Sequence, residues 1–327
     1  MDKISVIVPI YNMEERLAEC LTTLISQKTY NKFKIEIILV DDGSTDSSPL
    51  ICDYYKSKYT SLITVIHKKN KGVSEARNVG IQYASSDYIA FVDPDDYVTP
   101  YYLYNLFTSL KSTNSDISCC GFLETWTGKS INRSYKSSLN GLEILTSNEA
   151  LTRLFYQKGL DFAVWGKLIK SKLFDNVLFP SGRRYEDVFV TYNLISNSKR
   201  VALFKNQDYI YWQRNDGMLN ASFNKSKLDV IPAFNTLYNS VNRDHPELIN
   251  AVTCRYFAGI SNVYFQIPNE IKEKQILWKY MTSVRGKVLL DRNVPLKIKA
   301  GALCTFLGQK LMKKIYRKTQ RRGKILR

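Results

Sequence analysis

The chain has 327 residues, 44% of them hydrophobic and 24% charged, and a net charge of +17, a globular composition with room for one large domain or two ordinary ones. No apolar stretch approaches the roughly 18 residues of a membrane-crossing helix, and the N-terminus Met1-Asp2-Lys3-Ile4-Ser5-Val6 lacks the features of a secretory signal, so a cytosolic protein is expected. Two histidines leave no room for a His-rich metal site and speak against a Ser-His triad, so any general base is expected to be a carboxylate, and six cysteines without a C-x-x-C pair read as buried thiols of a reducing compartment.

Over the first hundred residues, short β-rich runs alternate with helical patterns. Strands are expected at 4–8, 35–40, 62–67 and 88–92. Between the first two, Leu17, Leu21, Leu24 and Ile25 recur at helical spacing, with Asn12 as the expected N-cap and Glu15 three residues on. Further helices are expected over 47–56 and 72–84. This βαβαβαβ order predicts a mainly parallel sheet with helices on both faces, an architecture that binds nucleotides beyond its strand C-termini.

The second strand runs into Val40-Asp41-Asp42-Gly43-Ser44-Thr45-Asp46. Paired carboxylates before a glycine turn suit a base N–H or a ribose hydroxyl, with Ser44 or Thr45 capping the next helix; an Asx-turn with capping fits the same residues. The fourth strand runs into Asp93-Pro94-Asp95-Asp96, three carboxylates in four positions. Like charges so close raise one another's pKa and repel, and a bound cation removes the conflict. Oxygen ligands of this kind select Mg²⁺ or Mn²⁺, which take one or two protein carboxylates and complete their shell with water and substrate phosphates. An acidic turn capping the helix near Pro100 is the competing reading.

From Pro100 a helix is expected over 101–111 and a strand over 116–122, followed by a Ser/Asn/Gly-rich stretch to Asn140 and a helix over 147–157. Tyr185-Glu186-Asp187 opens another helical pattern, and 201–204 and 209–212 read as strands. After Phe223 the chain reads as helical almost to its end. Three regions are therefore expected: 1–100, 101–222 and 223–327. Trp165 and the run Tyr209-Ile210-Tyr211-Trp212-Gln213-Arg214 fit either a sugar platform with a phosphate-binding cation or ordinary core aromatics. From Arg285 onward fourteen basic residues face Asp291 alone, so the last 43 residues hold +13 of the charge. There Leu303, Leu307, Leu311 and Ile315 recur at four-residue spacing beside Phe306 and Met312, with Lys310, Lys313, Lys314, Arg317 and Lys318 supplying charge. Such a helix suits an anionic membrane surface or docks on the body with its basic face solvated.

Four segments together resemble the family-2 glycosyltransferases of the GT-A fold: Ser5-Val6-Ile7-Val8-Pro9-Ile10-Tyr11-Asn12, Val40 to Asp46, Lys71-Gly72-Val73-Ser74-Glu75-Ala76-Arg77-Asn78-Val79-Gly80, and Phe91-Val92-Asp93-Pro94-Asp95-Asp96. The likeness continues more loosely through Trp165-Gly166-Lys167-Leu168 and Glu186-Asp187 to about Asn215. It implies a Rossmann-like, mainly parallel sheet flanked by helices, here with a helical C-terminal extension. It also implies inverting, metal-dependent transfer of a hexose or N-acetylhexosamine from a UDP-sugar to an acceptor hydroxyl, of the bacterial surface-polysaccharide type. On this resemblance Pro9, Tyr11 and Glu14 belong to the first-strand loop against the nucleotide base, Asp42 accepts the uracil N3–H, and Arg77 lies near the nucleotide and diphosphate. Asp93 and Asp95 are the outer positions of a D-x-D motif, the last binding the metal and the first near ribose, with Asp96 the secondary candidate. Asp187 matches the catalytic base.

Processive relatives carry a Gln/Arg/Trp motif with transmembrane helices, and Trp212-Gln213-Arg214 stands here without them, which favours addition of one sugar. A lipid-linked saccharide acceptor would account for the basic tail and place the protein peripherally on the inner face of the cell membrane. A nucleotidyltransferase would need a Gly-rich loop where Tyr11-Asn12-Met13-Glu14 stands. Outside the tail the chain is close to neutral and has no RNA- or DNA-binding motif, so no nucleic-acid partner is expected.

Overall fold

Ile4, Val6, Ile7, Val8 and Ile10 leave β1 (Asp2–Ile10) without a solvated face, as befits a strand covered by helices on both sides. The computed structural model describes residues 1–126, 137–213 and 223–314, so the expectations on Arg214 and on Ile315, Arg317 and Lys318 lie outside the described residues. β1 pairs in parallel with β2 (Phe33–Asp41) and β4 (Tyr88–Phe91), and β3 (Ile63–His67) lies parallel beyond β2. The crossovers are α1 (Leu17–Ile25), α2 (Ser48–Lys58) and α3 (Val73–Tyr83). α1 buries Leu17, Cys20, Leu21 and Leu24 along one 3.6-period stripe. Each of those leucines contributes roughly 1.5–3 kcal/mol by leaving water.

Beyond β4 the sheet changes character. β8 (Lys167–Lys170) runs antiparallel to both β4 and β6 (Ile117–Thr125), while β9 (Arg200–Trp212) lies parallel to β6. β5 (Tyr97–Val98) and β7 (Glu143–Thr146) pair antiparallel with β9. Among the described residues the result is a mixed nine-stranded sheet in the order β3-β2-β1-β4-β8-β6-β9-β5, with β7 also on β9. The helices α4 (Tyr102–Thr113), α5 (Ser147–Phe155) and α6 (Glu186–Ser196) follow in chain order. The strands expected at 201–204 and 209–212 are one strand whose register against β6 slips around Gly121.

Two local expectations are corrected. Asn12 does not cap α1, whose N-cap position is Arg16; Asn12 is left-handed (φ 52°), and its side-chain oxygen accepts the Thr45 N–H at 2.8 Å. Nor do Ser44 and Thr45 cap α2. The Ser44 hydroxyl accepts the Asn12 N–H, and Asp46 accepts the Ser48 N–H at 2.9 Å. These side chains stitch the β1–α1 loop to the β2–α2 loop.

The chain forms two compact units. Met1–Ala150 with Phe162–Asn220 carries the sheet, and Leu151–Asp161 with Ala221–Arg327 is mainly helical. The helical unit contains α7 (Val230–Asp244), α8 (Ile249–Tyr264), α9 (Glu273–Leu290) and α10 (Leu296–Cys304). α7 and α8 approach closely because Gly259 faces the Phe234 ring, where a Cβ would stand 2.7 Å from ring carbons. The apolar stripe near the C-terminus is not one continuous helix. Gly308 (φ 78°) ends the 3₁₀ turn Thr305–Leu307 that follows α10. Met312 is buried and Arg285 stacks on Phe306 at 3.8 Å, whereas Leu303, Phe306, Leu307 and Leu311 remain exposed. The six cysteines are free, five of them buried. No helix among the described residues is long and apolar enough to cross a membrane.

Candidate active site

The strand order reverses between β1 and β4, so the C-terminal ends of β2, β1 and β4 open on one crevice, the place where open α/β sheets bind ligands. Tyr11 follows β1 and is 46% exposed, whereas Pro9 lies inside the strand, buried and in register with Val40. Glu14 is exposed; its carboxylate accepts the Ser47 N–H at 2.9 Å, and its own N–H donates to Asp46.

The end of β2 carries two buried carboxylates with separate partners. Asp41 is in register with His67 of β3 and binds its Nδ1 at 2.8 Å, while also accepting the Ser44 N–H. Asp42 binds the ammonium of Lys68 and the backbone N–H groups of Lys71 and Gly72, the latter at 2.7 Å. Gly43 is required at the turn: it has φ 71°, and a Cβ there would stand 2.8 Å from the Asn70 nitrogen. Asp42 therefore fixes the approach to α3, and one lone pair of Oδ2 is not used by these bonds.

At the end of β4 the three acidic residues take different positions. Asp93 is partly exposed, and its carboxylate is 3.1 Å from Arg77 Nη2. Its N–H donates to the Tyr209 hydroxyl, which in turn donates to Asp96 at 2.7 Å. Asp96 is fully buried and also accepts the Trp212 N–H at 2.9 Å. Burial, then Asp93 and Asp95, push its carboxyl well above the usual range against those two hydrogen bonds. The helix-cap reading does not hold for Asp96, which anchors the loop to β9, while the N-cap position of α4 is Tyr101. Asp95 is partly exposed between them.

The same loop charges its surroundings. Behind burial, its carboxylates are the main cause that raises the Cys20 thiol and the Tyr209 and Tyr211 hydroxyls. An excess of negative charge on oxygen donors fits a hard divalent cation. Among the described residues no cluster of three or more His, Cys, Asp or Glu side chains forms a protein-only metal cage; Asp93 and Asp95 match the small protein share that Mg²⁺ or Mn²⁺ takes when phosphate and water supply the rest.

Arg77, on α3, is the hub. It is buried, with Nη1 2.8 Å from Glu186 and Nη2 3.1 Å from Asp93, and its guanidinium lies over the Phe179 ring at 5.3 Å. Burial opposes its charge, but Asp93, Glu186 and Asp187 together outweigh burial and raise its pKa. Asp187 is in the first turn of α6, partly exposed, behind a left-handed Tyr185 (φ 63°). A non-glycine residue in that conformation at a helix start is a strained turn of the kind found at functional sites.

The aromatic residues divide. Trp165 stacks on Tyr209 (4.4 Å, 10°) and on Tyr211 (5.5 Å, 22°), and forms a T-shaped pair with Phe122 (5.1 Å, 82°). The Trp212 ring is covered by the Arg16 guanidinium at 3.0 Å. Sequence pattern marks neither His67 nor Lys68 as a site element; the parallel register of β2 with β3 brings them in. Tyr209, one of the aromatic run read as sugar platform or core, is buried and bonds the acidic loop through its hydroxyl.

The profile of the family described as Glycosyl transferase family 2 matches residues 5–178. Glycosyltransferase GlyA of Streptococcus pneumoniae is 33% identical over 215 residues, 64% of this chain and 30% of that protein. The poly(ribitol-phosphate) beta-glucosyltransferase of Bacillus spizizenii is 34% identical over 219 residues, 66% of this chain and 33% of its own length. The chain thus spans about a third of the length of these two relatives. In fold it is similar to S. aureus TarS 1–349 in complex with UDP-GlcNAc, with a TM-score of 0.67 and 20% identity, covering 91% of this chain and 83% of that one.

Proposed function

Because the chain belongs to glycosyl transferase family 2, we propose that it is an inverting, metal-dependent enzyme that transfers one hexose or N-acetylhexosamine from a UDP-sugar to a glycan hydroxyl in surface-polysaccharide synthesis. The observation that carries this reading is the buried Arg77 bridge between Asp93 and Glu186, which ties the acidic loop after β4 to the carboxylate pair that opens α6. The UDP-GlcNAc of the TarS complex and the ribitol-phosphate polymer in the name of the Bacillus relative support the donor and acceptor classes.

In this mechanism Pro9, Tyr11 and Glu14 form the base side of the crevice, and Asp42 accepts a base N–H on its remaining lone pair. Asp187 accepts the acceptor hydroxyl proton as that oxygen attacks the anomeric carbon from the face opposite the diphosphate. The bond from that carbon to the diphosphate oxygen breaks, and UDP leaves with the electron pair. A divalent cation held by Asp93 and Asp95, Mn²⁺ or Mg²⁺, would neutralise the charge that gathers on the diphosphate. Arg77 fixes Asp93 from the protein side.

A screen of UDP-glucose, UDP-galactose and UDP-N-acetylhexosamines with Mn²⁺ or Mg²⁺ tests the donor. At least one should bind and be turned over, and failure of all to bind overturns the reading. Asp187→Asn should abolish transfer while leaving donor Kd within about twofold; full retained activity removes Asp187 from the mechanism.

A lipid-linked acceptor, with the protein held peripherally at an anionic membrane, is supported by a separate feature. Leu303, Phe306, Leu307 and Leu311 are exposed beside Lys310, Lys313 and Lys314, the apolar and cationic surfaces that an anionic interface takes. Flotation with anionic vesicles should be lost in the triple variant Leu303→Ser, Leu307→Ser, Leu311→Ser; unchanged flotation refutes this attachment.

A further inference from the structure

The segment that leads into α6 is held by three side chains of α3. Asn78 makes a two-way pair with the backbone of Phe179: its Nδ2 donates to the Phe179 carbonyl and its Oδ1 accepts the Phe179 N–H, both at 2.9 Å. Glu75 accepts the Ser181 hydroxyl at 2.8 Å. Arg77 binds Glu186 at 2.8 Å. The Phe179 ring below Arg77 is itself set edge-on against Phe91 of β4, with centroids 5.5 Å apart. Positions 179, 181 and 186 are therefore fixed to a single helix that, through the second arm of Arg77, also holds Asp93.

We propose that Glu186 is a positioning residue. Through Arg77 it sets the first turn of α6, and with it Asp187, at a fixed place relative to the donor loop. This rests on the reading of Asp187 as the base. Three observations argue for it. Arg77 is buried, so its two ion pairs are poorly screened and its guanidinium has no solvent alternative. The fork of Arg77 gives one nitrogen to each partner, so a shift of either carboxylate is transmitted through a planar group. The left-handed Tyr185 that begins α6 is a conformation that persists where its surroundings over-determine it, and the anchors at 179, 181 and 186 are such surroundings. Glu186 need touch neither sugar nor acceptor to affect the rate, because misplacing a reacting group by about 1 Å costs up to roughly a hundredfold.

The test compares Glu186→Gln with the wild-type chain in donor binding, thermal melting and steady-state kinetics with UDP-sugar and acceptor. The amide keeps the shape and one acceptor oxygen but removes the charge that holds Arg77. The expected result is a fall in kcat of about 10- to 100-fold, with donor Kd and the KM for acceptor each within about threefold. A merely structural role would instead lower the melting temperature and weaken donor binding together, and that outcome overturns the proposal, as does an unchanged kcat. If Glu186→Gln does not fold, Glu186→Asp keeps the charge while shortening its reach and should show the same loss in kcat alone at smaller size; full activity in that variant also overturns the proposal. Asp187→Asn assayed alongside separates the two ideas. An active Asp187→Asn enzyme refutes the assignment of the base, whereas an inactive Asp187→Asn enzyme beside a fully active Glu186→Gln enzyme refutes the positioning role alone.

Discussion

Asp41 and Asp42 are neighbours at the end of β2, yet each is taken by a different residue of the next strand's end: His67 binds the first and Lys68 the second. The hydrogen bond to Asp41, against partial burial and with help from Asp53, raises the pKa of His67. A raised folded value means that the charged imidazole stabilises the fold fully below the unfolded value near 6.5 and that this contribution fades as pH rises through the folded value. Denaturant unfolding between pH 5 and 9 should therefore show stability falling across that window. His67→Gln should flatten the fall, and an identical pH dependence in the variant would exclude His67 as its source. A count of two histidines leads to the expectation that the general base is a carboxylate. It is silent about a register that sets His67 opposite Asp41.

At the scale of elements, the acidic loop after β4 depends on a strand 113 residues away: the Tyr209 hydroxyl accepts the Asp93 N–H and donates to Asp96. Tyr209→Phe removes both bonds and leaves the buried Asp96 carboxyl and the part-buried Asp93 N–H each short of a partner, at a cost of about 1–3 kcal/mol. The loop that presents Asp93 and Asp95 should loosen with it. The expected outcome is a lower denaturation midpoint together with a donor Kd at least about threefold weaker; a destabilised variant with wild-type donor affinity would show that β9 does not set the loop. The sequence pattern places β1 to β4 and their helices because buried parallel strands leave long apolar runs. It misses β5, β7 and β8, which span two to four residues each and show no period to read. The Glu186 end of the Arg77 bridge escapes for a related reason: 109 residues separate the partners, and no local rule links α3 to the start of α6.

For the whole molecule, the family profile ends at residue 178, and every residue proposed for the donor site and the base lies in the unit that carries the sheet. The helical unit has its own core, with Phe234 of α7 stacked on Tyr256 of α8 (5.4 Å, 8°) beside the bare backbone of Gly259. Gly259→Ala introduces a methyl group where ring carbons stand 2.7 Å from the ideal Cβ position. Overpacking of this kind costs about 1–3 kcal/mol. If cores fold as separate units, the thermal transition of the helical unit should fall by roughly 4 °C or more, while donor Kd measured well below that transition stays at the wild-type value. Donor affinity that falls with the transition would mean that the nucleotide site draws on packing in the helical unit, and the sheet-bearing unit would then not be a self-sufficient donor-binding body. The contrast with Tyr209→Phe sharpens the result, because that variant should weaken donor binding from inside the sheet at a similar cost in stability. Equal destabilisation, with donor affinity weakened in Tyr209→Phe and unchanged in Gly259→Ala, is the outcome that distinguishes a loop held by β9 from a general loss of fold.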